Sequence, residues 1–230
     1  MKLKKGIITG IIIVVIASVA IVSVLFGMGV FKKFDAQGYV SAILDQSFKG
    51  DVKGMANVVE GKTEKELIQQ YEEGVKAFVT KNITTGIELD EELEAKYIDL
   101  CKEIFASMKY EVKSAEKQEN GEIIVSVEYK ATDVFSRFTA LLAEESAAMT
   151  EKVEKGEYQG TVDEINAQMQ NDFLNNSYEL LKKAHEEAQY GKKETMKFAV
   201  KKIENKLYTM DDSQIYEFRV KILGLDAKED

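Results

Sequence analysis

The most prominent feature of the hydropathy pattern is an uncharged apolar run near the N-terminus. It extends from Gly6 to Phe31 as GIITGIIIVVIASVAIVSVLFGMGVF, and lysines flank it on both sides. As a helix this run would be about 39 Å long, whereas the hydrocarbon core of a bilayer is about 30 Å thick. The pattern therefore predicts a single transmembrane anchor over residues 6–31, preceded by a short tail over residues 1–5.

Two alternatives to this topology are open. Ser18-Val19-Ala20 resembles a signal-peptide cleavage site, but cleavage there would leave Ile21–Phe31 as an exposed apolar stub, so an uncleaved anchor is favoured. Three lysines precede the span and two follow it, which is a weak positive-inside bias. We expect a cytoplasmic tail 1–5, a span that binds the lipid bilayer, and a domain outside the cytoplasm. The reversed topology would make the chain a cytoplasm-facing scaffold.

After the anchor, apolar residues recur at spacings of three and four, which indicates amphipathic helices. Residues that can cap a helix N-terminus precede these segments. They are Asp35, the Thr63/Glu66 and Thr161/Glu164 capping boxes, Asp90, Asp133 and Asp211-Asp212-Ser213. The pattern predicts a helix from Asp133 to about Lys155 and a long helix over Val162–Tyr190 with Gly191 as a left-handed cap. The tail Ser213–Leu223 fits a helix through Ile215, Phe218, Arg219 and Ile222, and also fits a strand; its cap favours the helix.

Two segments change to a period of two, which indicates strands. Tyr110, Val112 and Ser114 alternate with charged residues, Gln118–Gly121 is a turn signal, and Glu122–Lys130 alternates again. A second hairpin is predicted from Glu194–Glu204, a turn at Asn205-Lys206 and a short strand Leu207–Met210.

Together these segments predict an α+β fold class: an N-terminal transmembrane helix, then a helix-rich domain with a small antiparallel sheet of about four strands from two hairpins. The domain would span residues 35–225. Its halves, 35–132 and 133–223, resemble each other in placing Glu-Asn at a hairpin turn, which suggests a degenerate duplication.

Charge narrows the classes of partner. The chain has 31 basic and 40 acidic residues, and the first 33 residues hold five lysines and no acid, so the remainder carries a net charge of −14. Such a domain repels phosphate backbones, and nucleic acid is therefore not an expected partner. The only cysteine, Cys101, cannot form an intramolecular disulfide.

No catalytic, cofactor-binding or metal-ligating residue is predicted. His185, the only histidine, stands beside Glu186 and Glu187 and is interpreted as a solvated helix residue without a nucleophile. Cys101 lies on an apolar helix face and is interpreted as a small core residue. The aromatic stripe Tyr39, Phe48, Tyr71 and Phe78 is interpreted as core, and the acidic pairs Glu91-Glu92, Glu144-Glu145 and Asp211-Asp212 as solvated surface.

Four stretches carry a resemblance to a known family. They are DAQGYVSAILDQSFKGD at Asp35–Asp51, YEEGVKAF at Tyr71–Phe78, KYEVKSAEK at Lys109–Lys117 and LYTMDD at Leu207–Asp212. With them the chain resembles uncharacterised envelope proteins and lipoproteins of low-GC Gram-positive bacteria that share a domain of unknown function. The resemblance implies an extracytoplasmic domain with a cystatin-like, nuclear-transport-factor-like fold, and it brings no catalytic residues. Many members carry a lipid-modified cysteine, which this chain replaces with its apolar span.

The sequence therefore favours a non-catalytic, membrane-tethered module that binds an envelope protein, a peptide or a wall ligand. The alternative is an enzyme that uses a buried aspartate or glutamate in a cavity between sheet and helices.

Overall fold

A computed structural model describes residues 34–56, 62–84, 87–204 and 207–225. The predicted N-terminal tail 1–5, the predicted anchor 6–31 and the predicted turn at Asn205-Lys206 lie outside the described residues. Within those ranges no helix combines the length and the apolar character needed to cross a bilayer.

The described chain has the predicted α+β class, with seven α-helices and a four-stranded antiparallel sheet. The elements in chain order are α1 Ala36–Lys49, α2 Lys53–Ala56, α3 Glu64–Phe78, a π-helical turn Val79–Ile83, α4 Glu91–Ala106, β1 Lys109–Lys117, β2 Ile123–Thr132, α5 Val134–Lys155, α6 Val162–Glu186, β3 Tyr190–Glu204, β4 Leu207–Met210 and α7 Asp212–Ile222.

Local capping chemistry fixes most helix starts as predicted. The Thr63 backbone N–H donates to Glu66 Oε2 at 2.7 Å, and the Glu66 N–H donates to Thr63 Oγ1 at 3.3 Å. Thr161 and Glu164 form the same reciprocal pair. The Asp35 and Asp90 carboxylates each accept one backbone N–H of the following turn, so these helices begin where unpaired donors are satisfied.

Two predictions at helix ends are wrong. Asp133 precedes α5 but caps no N–H of that helix. Its Oδ1 accepts the Gln189 backbone N–H at 2.7 Å, and its Oδ2 accepts Arg137 Nε at 2.7 Å. The bond between Gln189 and Asp133 holds the α6–β3 junction against the end of β2. Helix α6 accordingly stops at Glu186, and β3 begins at Tyr190. Gly191 therefore lies inside β3 and is not a left-handed cap.

The sheet has the strand order β1-β2-β3-β4, and each neighbouring pair is antiparallel. Both predicted hairpins are confirmed. Val125 pairs with Phe198 and Val127 with Met196, which places the buried side chains of β2 and β3 on one face. In β1 a bulge at Lys113 shifts the register, so that Val112 pairs with Val127 and Ser114 pairs with Ser126. The predicted alternation is confirmed through Ser114, because Tyr110, Val112 and Ser114 are half buried between exposed neighbours.

The C-terminal segment Ser213–Leu223, which fitted both a helix and a strand, forms the helix α7, and the burial of Phe218 explains why. Phe218 is fully buried and lies with its ring centroid 5.3 to 6.1 Å from four other rings. Those rings belong to Phe48 of α1 and to Tyr110, Tyr129 and Phe198 of the sheet. A helix, but not a strand, places Phe218 together with Ile215 and Ile222 on one buried face, so the core selects the helical alternative.

The remaining helices extend this core. The Tyr97 hydroxyl donates to the Leu174 carbonyl oxygen at 2.8 Å and joins α4 to α6, which packs along α5. One hydrophobic cluster includes buried residues from Ala36 to Leu223. Both halves thus contribute to the same core, and their origin by duplication stays a prediction.

Candidate ligand-binding cavity

A cavity of about 360 Å³ lies between α1, α3 and α7. Its apolar lining comes from elements far apart in the chain: Ile43, Met55, Val75, Phe105, Met210 and Ile215. A volume of this size is at the lower end of the range for small-molecule sites. The cavity is therefore large enough for a small organic ligand.

Side-chain bonds to backbone carbonyls hold two of the cavity walls together. Gln46 Nε2 of α1 donates to the Leu67 carbonyl oxygen of α3 at 3.4 Å, and the Tyr71 hydroxyl donates to the Phe48 carbonyl oxygen at 3.4 Å. Gly74 lines the cavity from within α3.

Arg219 of α7 is the most unusual polar residue of the lining. Its Nε is inaccessible to solvent and has no hydrogen-bond partner, although the residue as a whole keeps partial exposure. None of the ion pairs among the described residues involves it. Burial lowers the pKa of Arg219 to about 10, because desolvation disfavours the cation. The guanidinium stays charged at neutral pH and lacks the anion that such a group ordinarily binds.

Other polar groups give the cavity a mixed character. Tyr39 of α1 lies close to the start of α7. Burial raises the pKa of its hydroxyl, a hydrogen bond with the Met210 backbone lowers it, and the Asp212 carboxylate raises it again. Burial also raises the pKa of Tyr71 to about 12. Glu73 and Lys81 line the outer part of the cavity and are exposed. The lining can therefore bind an anionic group at Arg219 and an apolar body beside it.

The residues singled out from the sequence lie mostly elsewhere. Cys101 is fully buried, and burial raises the pKa of its thiol, as expected of a core cysteine. His185 is only half exposed and its Nδ1 is buried without a partner, so its interpretation as a solvated residue is wrong in part. In the α6–β3 turn, the Ala188 backbone N–H donates to the His185 carbonyl oxygen at 3.2 Å. Neither residue lines the cavity.

The aromatic stripe divides between core and cavity. Phe48 and Phe78 are buried core residues, as predicted, whereas Tyr39 and Tyr71 also line the cavity. The sequence pattern placed Arg219 on a helix face but did not indicate a role for it in a site. Its position on the apolar face of the predicted tail helix, one turn after Ile215, was the signal that could have identified it.

The acidic pairs are partly as predicted. Four of the six carboxylates are exposed, namely Glu91, Glu92, Glu144 and Asp211. The other two are half buried: Glu145 accepts a hydrogen bond from Asn176 at 2.7 Å, and Asp212 lines the cavity. The buried polar residues of the described chain are Asn82, Thr84, Thr132 and Ser177, none of which has a carboxyl group. Nor do the described ranges hold a metal-binding group of three or more His, Cys, Asp or Glu residues.

Comparison with known proteins gives no relative: no family model, curated protein or solved structure matches the chain. The resemblance drawn from the four sequence stretches therefore stays a hypothesis.

Proposed function

We propose that this chain is a single-pass membrane protein whose extracytoplasmic domain binds a small organic anion in the cavity between α1, α3 and α7. The observation that carries the proposal is the unpaired guanidinium of Arg219 at a cavity with apolar walls. The uncharged run at residues 6–31 supports the anchor. The resemblance to exported proteins of Gram-positive bacteria agrees with an outward-facing domain, so the ligand would come from the cell envelope.

The chemistry of the lining defines the ligand class. A carboxylate or phosphate group would pair with the guanidinium of Arg219, which lines the cavity, and charge-assisted bonds of this kind are the strong ones. The ligand body would pack against Met55, Phe105 and Ile215. Asp212 and Glu73 would disfavour a second negative charge, so the ligand should carry one anionic group on an apolar frame.

A matched pair of probes tests this assignment. We expect 4-phenylbutanoate to bind the full-length protein in lipid nanodiscs at least roughly tenfold more tightly than its neutral amide, because a hydrogen bond to a charged group contributes about 1.5–3 kcal/mol. Titration calorimetry measures both affinities. The Arg219→Gln variant should lose this difference.

The control variant is Lys221→Gln, on the same helix, where the lysine pairs with Glu217 on the surface and does not line the cavity. It should keep the preference for the anion. Equal affinities of the two probes for the unmodified protein, or a preference that survives in Arg219→Gln, would contradict the proposed site.

The topology is tested separately in intact cells. A C-terminal tag on the full chain should be removed by external protease while a cytosolic control protein survives. Protection of the tag until the membrane is breached would reverse the topology and favour a cytoplasmic scaffold.

A further inference from the structure

The junction between the predicted anchor and the folded domain is very short. Only Lys32 and Lys33 separate the anchor from Phe34, the first described residue. Phe34 already belongs to the fold, because its ring stacks on Tyr208 of β4 with centroids 3.7 Å apart and planes 4° apart. The three residue steps from Phe31 to Phe34 span at most about 11 Å. An inserted anchor therefore holds the surface around Phe34 and Tyr208 close to the bilayer.

The β3–β4 hairpin forms this surface together with Phe34. Tyr208 pairs with Lys202 across the two strands, and the next residue of β3, Ile203, is a large apolar side chain that is 51% exposed. Lys201 and Lys202 are also exposed, and Lys201 pairs with Glu122 at 3.5 Å. An aromatic pair, an exposed isoleucine and lysines are the residue types that contact the interfacial region of a membrane.

From this arrangement we propose that the β3–β4 hairpin contacts the membrane, with Ile203 among the lipid headgroups and Lys201 and Lys202 beside their phosphates. The inference rests on the anchor proposed above. The occupant is an anionic phospholipid surface, because the chain before Phe34 is too short to leave room for a protein between hairpin and bilayer.

The charges at this end of the domain are mixed, because Asp35 follows Phe34 and Asp211 and Asp212 follow β4. A domain with a net charge of −14 is repelled by an anionic surface as a whole. Screening limits that repulsion to a Debye length of about 8 Å, so the charges nearest the lipid decide the contact. Lys32 and Lys33 adjoin the proposed span directly, and Lys202 is exposed without an ion pair among the described residues. Basic residues next to a span are attracted to anionic lipids.

The absence of tryptophan from the sequence permits a direct test. The full-length Ile203→Trp variant is reconstituted into vesicles of phosphatidylcholine and phosphatidylglycerol, with or without bromine on the acyl chains. We expect a roughly twofold loss of indole emission in the brominated vesicles, because tryptophan at this position would lie at the interface. The control is Lys192→Trp, an exposed position on the same strand about 36 Å away by strand geometry, which should show no loss.

A charge variant adds a second criterion. In the Ile203→Trp background, Lys202→Glu should reduce the quenching, whereas Lys197→Glu on the open face of the sheet should leave it unchanged. Absence of quenching at position 203, or equal quenching at positions 203 and 192, would overturn the orientation while co-flotation of the protein with the vesicles upholds the anchor. Failure to float would overturn the anchor and this inference together.

Discussion

At the scale of single residues, the proposed site would link ligand binding at Arg219 to the stability of the fold. A buried cationic donor without an acceptor carries a desolvation cost that a bound anion would offset. An apolar side chain of similar length would remove that cost in the free protein. The residue proposed to make the cavity specific is thus one that the fold tolerates at a loss of stability.

We therefore predict that Arg219→Met raises the free energy of unfolding of the ligand-free protein by about 1–3 kcal/mol, the cost of a buried unsatisfied polar group. Urea unfolding followed by circular dichroism measures it. Lys197→Met, at an exposed position of β3, should stay within about 0.5 kcal/mol of the parent. A destabilised Arg219→Met variant would show that the guanidinium contributes to the fold and would count against a vacant anion site.

The two capping boxes predict the acid response. Hydrogen bonds with Thr63 and Thr161 lower the pKa of Glu66 and Glu164 from their ordinary value of 4.5. Since the pKa is lower in the folded state, the stability from each box is present above pH 4.5 and is lost as the pH falls through the folded value. The Glu66→Gln/Glu164→Gln variant should therefore lose less stability than the parent on acidification, measured as urea midpoints from about pH 6 to about pH 3.

Glu119→Gln, in the exposed β1–β2 turn, serves as the control for that titration. Parallel acid profiles of the parent and the double variant would mean that the capping bonds do not contribute to the pH dependence.

At the scale of secondary-structure elements, Asp133 joins two chain segments that meet only in the folded state. Its bonds to Gln189 and Arg137 connect the end of β2, the start of α5 and the entry to β3. Asp133 occupies the N-cap position of α5, but its hydrogen bonds hold the β2–α5 and α6–β3 junctions together, and we call it the junction clamp.

We predict that Asp133→Ala lowers the free energy of unfolding by about 1–2 kcal/mol, because it leaves the Gln189 N–H without its charged acceptor. Asp99→Ala, at an exposed position of α4, should change stability by at most about 0.5 kcal/mol. Amide exchange at Gln189 provides the local readout, and unchanged protection there in Asp133→Ala would contradict the junction clamp.

The elements that sequence reasoning located correctly are those with local causes. The Thr63 and Thr161 boxes satisfy donors within one turn, so a stretch of four residues suffices to identify each helix start. The ends at Asp133 and Gly191 depend on a bond between residues 56 positions apart, and the bulge at Lys113 depends on how β1 meets β2. The cavity needs three helices to converge, so the sequence indicated only an arginine at an apolar position and not the space it faces.

At the scale of the whole molecule, the domain is expected to fold without its anchor. The core begins at Ala36, and Phe34 contributes a ring packed against it. A chain that starts at Phe34 should leave the membrane fraction and keep its thermal midpoint, because one isoleucine and a few lysines give only weak surface binding. Sedimentation and calorimetry measure the two properties. Retention of this shortened chain in the membrane pellet would show that the domain itself provides the main attachment.

The outermost strands of the sheet have a consequence for a chain held in a bilayer by the proposed anchor. Anchored chains are confined to a plane, where their local concentration is high and a strand with free amide groups could pair with a neighbouring copy. Here β4 has only four residues, and β1 is interrupted by its bulge at Lys113 and carries lysines at both ends, Lys109 and Lys117. The two edge strands of the sheet are therefore short, charged or irregular. Such edges disfavour strand pairing between neighbouring copies and so disfavour aggregation.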